Sequence, residues 1–271
     1  MTGRTMFELY HSVLSPCAQK VRLVLAEKGI DYTSRLVDVV AKENLRADYL
    51  KLNPNGVVPT LVHDGEAVIE STLIAEYLED VRPSPPLRPA DALGRARMRL
   101  WTKLVDESLH PATGALVWST VMRRQYQQKG RDAALTLIGR VPSRPRRERQ
   151  LRIFEHGWEA PDAVAAVRSF RSAFGKMDAA LLHGEWLLGA APTLADLALA
   201  PYVQSVHQLG LDDILIGEHD RLRGWFERVR RRGSFATEVT AKLPAERLKM
   251  YAGYGEEARP IVRRLVREAS A

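Results

Sequence analysis

The stretch from residue 53 to residue 61 reads Asn-Pro-Asn-Gly-Val-Val-Pro-Thr-Leu and holds the clearest turn signal in the chain. Proline and glycine interrupt regular structure, so its first four residues predict a tight turn. The apolar run that follows is broken by Asp64-Gly65 and resumes at Ala67–Ile69, a pattern typical of a β-hairpin. Strands are therefore predicted at Thr60–Val62 and at Ala67–Ile69.

The residues before this stretch alternate between strand and helix patterns. Met6–Tyr10 predicts a strand, and Pro16 opens a helical pattern that ends at Gly29. Ile30–Val40 predicts a second strand, and Asn44–Leu50 a short helix. The first half of the chain is thus expected to start as an α/β unit.

After the hairpin, Ser71 is expected to cap a further helix. The order strand, helix, strand, helix, strand, strand, helix predicts a small α/β domain at residues 1–84. The four prolines within Arg82–Pro89 predict a stiff linker. Amphipathic helical patterns then dominate residues 90–271, and only the Pro- and Arg-rich stretch Gln127–Asp162 is expected to be a partly ordered insertion. The second domain is predicted to be all helical.

The composition is that of a folded globular protein. Of the 271 residues, 45% are hydrophobic and 27% are charged, and no run approaches the roughly 20 apolar residues of a membrane span. The N-terminal residues are not expected to form a secretory signal. Cys17 is the single cysteine, which excludes an intramolecular disulfide and indicates a reducing cytoplasm.

The formal net charge of +7 raises the question of a nucleic-acid partner. Much of the excess lies in two arginine clusters, at Arg140–Arg152 and at Arg228–Arg232. Neither cluster is interleaved with the aromatic residues that stack bases, so a solvated face is favoured over a nucleic-acid site. The seven histidines are scattered without the spacing of metal ligands, so no metal site is predicted.

The segment Ser12–Cys17 carries the first candidate for chemistry. It follows the first strand and opens the first helix, and helix N-termini present unpaired amide donors and the positive end of the helix dipole. A thiolate placed there is stabilised, and the Ser15 hydroxyl adds a directed hydrogen bond. Ser15 is therefore a candidate for thiol activation, while Cys17 lies two residues further along.

Three motifs together resemble those of the glutathione transferase family. Ser-Pro-Cys-Ala from Ser15 is similar to the Ser-Pro-x of several classes, and residues 53–61 resemble the segment Asn-Pro-x-x-x-Val-Pro-x-Leu with its cis proline. Ile69–Leu78 is similar to the family's Glu-Ser-x-x-Ile-x-x-Tyr-Leu. The resemblance implies a thioredoxin-like domain followed by a helical-bundle domain, and a role in detoxification. The stretch Gln127–Asp162, longer than the usual helical domain needs, resembles bacterial members that cleave aryl ethers or dehalogenate.

The resemblance also implies a glutathione site. Ser15 would hold the thiolate, and the backbone of Val58, turned outward by cis Pro59, would pair with the cysteinyl residue. Glu70 would meet the γ-glutamyl ammonium, and Ser71 the γ-glutamyl carboxylate at a helix N-terminus. Glutathione would be a cosubstrate, so no bound cofactor is predicted. The implied partners are glutathione, a small apolar electrophile and a second copy of the chain in a homodimer.

Some assignments stay open. Lys42 could bind the glycyl carboxylate or be an ordinary surface lysine. Ser15 could act only as a helix N-cap, and Cys17 could carry thiol transfer instead of packing in the core. A non-catalytic binding module is the alternative from another class. Farther along, Thr193 and Asp196 have the spacing of a capping box with a role in folding.

A last open assignment concerns Trp118, Met122 and Tyr126, which have helical spacing. They could line an electrophile pocket or pack in the core.

Overall fold

The computed structural model describes residues 6–269, which form two compact units. The first unit contains the described chain up to Thr102 together with Ala190–Pro201 and Arg228–Leu243. The second contains Lys103–Gly189, Tyr202–Glu227 and the chain from Pro244 onward. The domain limits expected from the sequence, 1–84 and 90–271, stay a prediction.

The first unit begins with a four-stranded sheet and three helices. These elements are β1 (Phe7–His11), α1 (Pro16–Glu27), β2 (Thr33–Leu36), α2 (Ala47–Leu52), β3 (Thr60–His63), β4 (Glu66–Ile69) and α3 (Ser71–Val81). The strand order is β2-β1-β3-β4, with β1 parallel to β2 and antiparallel to β3, and β3 antiparallel to β4. The predicted thioredoxin-like α/β arrangement is confirmed.

The hairpin between β3 and β4 has the predicted turn. Asp64 and Gly65 both have positive φ, at 50° and 91°. A two-residue type I′ turn needs positive φ at both central positions, which is why the Asp-Gly pair predicts it.

The second strand is shorter than predicted and ends at Leu36. Beyond it, a carboxylate oxygen of Asp38 accepts hydrogen bonds from the amides of Val40 and Ala41 at 2.8 and 2.9 Å. An aspartate that bonds the backbone two residues ahead forms a turn in place of a strand ladder. The apolar residues up to Val40 therefore do not extend the strand.

Helices make up the rest of the chain, and beyond β4 the described residues hold no further strand of the sheet. They are α4 (Ala92–Leu104), α5 (His110–Val117), α6 (Arg123–Gln127), α7 (Arg131–Gly139), α8 (Arg144–His156), α9 (Pro161–Ala180), α10 (Leu194–Gln208), α11 (Asp212–Leu215), α12 (Asp220–Arg230), α13 (Gly233–Glu238) and α14 (Ala245–Glu268). Within residues 6–269, no helix is long and apolar enough to cross a membrane. The predicted all-helical second half is confirmed.

The stretch Gln127–Asp162 is more ordered than expected. It is occupied largely by α7 and α8, whose side chains Ala134, Ile138, Ile153 and Phe154 are buried. The prolines and most of the arginines that suggested partial order lie at helix starts or are exposed, so the apolar residues still pack together.

The start of α10 has the predicted capping box. The Thr193 amide and hydroxyl both donate to the Asp196 carboxylate, at 2.9 and 3.2 Å, and the Thr193 oxygen accepts from the Ala195 amide at 3.2 Å. Asp196 is fully buried, so this box satisfies backbone donors that water does not reach.

Candidate active site

The register of the sheet places the three sequence motifs at one end. Tyr10 of β1 lies opposite Thr60 of β3, and Thr60 lies opposite Ile69 of β4. Adjacent strands are about 4.8 Å apart. The turn before α1, the segment before β3 and the start of α3 therefore lie side by side, with the segment before β3 in the middle.

Ser15 is the N-cap of α1. Its backbone is extended, at φ −73° and ψ 119°, its Oγ accepts a hydrogen bond from the Ala18 amide at 3.4 Å, and Pro16 follows at the first helical position. A serine oxygen that accepts such a bond still has its own hydrogen to donate. Capping and donation to a sulfur are thus compatible, and the role in thiol activation stays a prediction.

A fully buried arginine supports the turn that leads to Ser15. Arg22 of α1 donates to the carbonyl oxygens of Ser12 and Val13, at 3.3 and 3.1 Å. Gln19 Nε2 donates to the same Val13 oxygen at 3.1 Å. The turn is therefore fixed by side chains from its own helix. Sequence reasoning missed Arg22 because no motif contains it, and its residue type alone does not indicate a supporting role.

Arg22 also fixes the state of a buried histidine. Its Nη1 lies 3.1 Å from Nδ1 of His11, and burial together with the Arg22 charge lowers the pKa of His11 to about 4. Because a guanidinium can only donate, Nδ1 accepts, so Nε2 carries the hydrogen and donates to Ser34 Oγ at 2.8 Å. His11 is neutral near pH 7 and serves to hold Arg22.

The segment before β3 exposes one residue's peptide groups. The Val58–Pro59 peptide is cis, as predicted. The preceding carbonyl, of Val57, accepts from Tyr49 Oη at 2.6 Å and from Asn53 Nδ2 at 3.0 Å. By contrast, the N–H and C=O of Val58 make no hydrogen bond to any residue within 6–269. They are available to an extended peptide.

The start of α3 differs from the prediction in one detail. Ser71 is the first residue of the helix, and the N-cap position is Glu70, with φ 68° and no capping bond from its side chain. The positive φ at Glu70 changes the chain from strand to helix within this one residue. Glu70 therefore takes the N-cap position, and the cap predicted at Ser71 is wrong. Glu70 is exposed and its Oε1 accepts from Asn55 Nδ2 at 3.1 Å. This bond joins the start of α3 to the segment before β3.

A second buried cation lies by this helix start. Lys20 of α1 is almost fully buried and its Nζ donates to Thr72 Oγ1 at 2.8 Å. The positive charge and the N-terminal amides of α3 both favour an anionic group at Ser71, which is itself buried. Sequence reasoning missed Lys20 as well.

Two other candidate residues, Lys42 and Cys17, are half-buried. Lys42 is half-buried in the segment between β2 and α2, where its φ is 66°. Cys17 is half-buried in the first turn of α1. Their roles stay predictions.

The aromatic candidates of the second unit pack against each other. The rings of Trp118 and Tyr126 have centroids 4.8 Å apart, and both side chains are buried. The geometry favours core packing over a pocket lining for this pair. Within residues 6–269, no group of three or more His, Cys, Asp or Glu side chains could hold a metal ion.

Family models match both halves of the chain. The glutathione S-transferase N-terminal domain matches residues 14–81, and the glutathione S-transferase C-terminal domain matches residues 144–228. The first match contains every predicted site residue.

Individual relatives agree with these matches. Protein LigF of Sphingobium sp. is 32% identical over 175 residues, which cover 64% of this chain and 68% of that protein. A maleylacetoacetate isomerase of Pseudomonas aeruginosa is 33% identical over 207 residues, 75% of this chain and 83% of the relative. The crystal structure of the beta-etherase LigF from Sphingobium sp. superposes with a TM-score of 0.79 at 27% identity, covering 88% of this chain and all of that one.

Proposed function

This chain belongs to the glutathione S-transferase family, and we propose that its Ser15 hydroxyl holds bound glutathione as a thiolate that attacks an apolar electrophile. The observation that carries the proposal is the sheet register. It sets the Ser15 turn, the free peptide groups of Val58 and the start of α3 side by side. Glutathione is a tripeptide with a thiol in its central residue and charged groups at its ends. Its thiol would lie at Ser15, its central residue beside Val58, and its γ-glutamyl end at the start of α3.

The groups present can supply the free energy that thiol activation requires. Lowering a thiol pKa from about 8.5 by two units requires roughly 2.7 kcal/mol. A hydrogen bond from Ser15 to the charged sulfur contributes about 1.5 to 3 kcal/mol, and the helix N-terminus about 0.3 to 1 kcal/mol. No general base is required.

The remaining contacts would hold the peptide. The cysteinyl residue pairs in β fashion with Val58, next to cis Pro59. The γ-glutamyl ammonium meets Glu70, and its carboxylate meets Ser71 at the N-terminus of α3. Lys42 would neutralise the glycyl carboxylate. Glutathione is consumed as a cosubstrate, and the chain would need no bound cofactor.

We propose an aryl ether as the first substrate class to test. The support is the likeness to the beta-etherase LigF, whose TM-score of 0.79 exceeds the 0.68 of a zeta-class maleyl pyruvate isomerase. In this reaction a carbon–sulfur bond forms and the carbon–oxygen bond breaks. The electron pair leaves on the aryloxide, which takes up a proton from water, while the glutathione thiol gives up its own proton.

We also propose a symmetric homodimer in the reducing cytoplasm. Three leucines of the first unit are largely exposed, Leu73 on α3 and both Leu93 and Leu100 on α4. The two helices are joined by an ion pair between Arg99 and Glu76 at 2.6 Å. Exposed apolar residues on neighbouring helices favour a protein interface. Light scattering that gives the 30.4 kDa monomer at micromolar concentration would contradict the dimer.

Immobilised glutathione tests the site. The protein is expected to bind the resin and to elute with free glutathione. The double variant Glu70→Ala, Ser71→Ala should lose retention, while Arg144→Ala, an exposed change on α8, should keep it. Retention that survives the double variant, or no retention of the parent protein, contradicts the assignment. Turnover is then compared among a β-aryl ether, an aryl halide, an epoxide and a peroxide.

A further inference from the structure

Three arginines of the cluster that the sequence shows at Arg140–Arg152 are held by neighbouring groups. Arg144 bonds Glu148 at 2.7 Å, and Arg152 binds both carboxylate oxygens of Asp162, at 2.7 and 2.8 Å. Arg147 donates to a backbone carbonyl at 2.7 Å. These arginines are held by groups of the protein itself.

Arg149 is the exception on α8. It is half-buried, and within residues 6–269 it makes no hydrogen bond and no ion pair. None of its nitrogen atoms is fully enclosed, so the guanidinium can still be reached from solvent. Burial, with the nearby charge of Arg146, lowers the pKa of Arg149, while the carboxylate that attracts it, Asp162, is already bound by Arg152.

The position of the Arg149 guanidinium depends on a glycine. A Cβ atom at Gly114, in α5, would lie 3.2 Å from a terminal nitrogen of Arg149. Glycine is unfavourable inside a helix, so the lack of a side chain here has a local cost. Because Gly114 has no Cβ atom, the guanidinium can lie directly against α5.

We propose that Arg149, placed against Gly114, binds a small oxyanion, a carboxylate or a phosphate, that a ligand supplies. A cation taken partly out of water is unfavourable without a partner. The planar guanidinium is suited to bind two oxygens of a carboxylate or phosphate at once. Arg146, one helical turn away, adds positive charge on the same face. The site lies within the second unit and does not depend on Ser15.

Calorimetric titration of the whole protein tests this site. Sodium acetate and sodium phosphate are titrated separately, at constant ionic strength and without glutathione, so that the two arms distinguish carboxylate from phosphate. We expect saturable binding with one site per chain in at least one arm. Arg149→Met should weaken that binding at least tenfold. Arg144→Met removes the same charge from an exposed position of the same helix and should change it less than twofold.

Gly114→Ala gives a second, charge-neutral test. The new methyl would push the guanidinium aside by a few tenths of an ångström, so binding should weaken several-fold with no change in net charge. This variant carries the test if Arg149→Met fails to fold, as judged by circular dichroism. No saturable binding by the parent protein, or undiminished binding by both variants, would overturn the proposal. An equal loss in Arg144→Met would also overturn it, since the diffuse charge of α8 would then suffice.

Discussion

Replacing Ser15 by alanine removes one oxygen that has two separable roles. As an N-cap, Ser15 accepts from the Ala18 amide at 3.4 Å, a long hydrogen bond. The loss of folding free energy should therefore lie near the lower end of the usual range of about 0.5 to 2 kcal/mol. As a donor to the bound sulfur, the hydroxyl contributes about 1.5 to 3 kcal/mol. Its loss should raise the thiol pKa by about one to two units and slow turnover at neutral pH roughly ten- to a hundredfold.

Two measurements separate these roles. The ultraviolet absorbance of the thiolate, followed against pH for enzyme-bound glutathione, reports the thiol pKa, and turnover of an aryl halide reports the rate. Ser15→Gly is the matched control, because glycine is a good N-cap and costs only a few tenths of a kcal/mol. Both variants lack the hydroxyl, so both should show the raised pKa and the slower rate, while the alanine variant should lose more stability than the glycine variant.

Certain results would refute this reasoning. If the glycine variant keeps the parent's pKa and rate, the cap and not the hydroxyl matters. If Cys17→Ala abolishes turnover while Ser15→Ala leaves the titration and the rate unchanged, the serine mechanism is wrong and thiol transfer by Cys17 takes its place. Glutathione affinity should change little in every variant, since its other contacts remain.

Further predictions concern buried polar groups. Lys28→Met should lower the free energy of unfolding in urea by about 3 to 5 kcal/mol, because it leaves the buried Glu79 carboxylate with only the more distant Arg88, at 4.0 Å, as a cation; a parent-like midpoint would contradict this. The pKa of His11 falls from an ordinary 6.5 to about 4 in the folded state, so its stabilising effect is complete above pH 6.5 and is lost toward pH 4. Thermal unfolding across that window should show a loss of up to about 3 kcal/mol that His11→Asn lacks. Arg22→Lys should raise the pKa of the bound thiol and lower kcat more than it changes KM for glutathione. The compact ammonium lacks the forked guanidinium nitrogens that donate to the Ser12 and Val13 carbonyls and to His11. Equal effects on both constants would count against it. Asp196→Ala should cost about 1 to 3 kcal/mol by calorimetry, since a buried amide and hydroxyl lose their acceptor.

The sequence predicts the fold wherever the signal is local. Asp64-Gly65 predicts its turn because the required backbone angles are a property of two residues. Pro16 predicts a helix start because its ring fixes the angle that the first turn needs. Thr193 and Asp196 predict a cap because the bonds span three residues. Each of these signals acts within one turn of chain, so no tertiary partner has to be known.

The prediction fails where a distant partner decides. The apolar pattern in the sequence predicts a helix only over Ala245–Tyr251, but α14 continues to Glu268 through two glycines and a proline. A Cβ at Gly255 would lie 1.7 Å from the carbonyl oxygen of Leu209, so this glycine permits a close approach between two segments. In the sequence the same glycine indicates a helix end. Whether Gly255 ends the helix or permits a close contact depends on Leu209, 46 positions earlier in the chain.

The candidate site shows the same limit most clearly in α1. By type alone, Lys20 and Arg22 of α1 and Lys28 just after its end would be assigned to a solvent-facing stripe, yet all three are buried. Each one bonds a different segment: Lys20 the start of α3, Arg22 the turn before Ser15, and Lys28 two carbonyls of the proline-rich linker. A buried cation is stable only when such partners surround it, so these three residues are built into the fold. The motifs therefore predict which groups would meet glutathione, whereas Lys20 and Arg22, which bond the start of α3 and the turn before Ser15, belong to no motif.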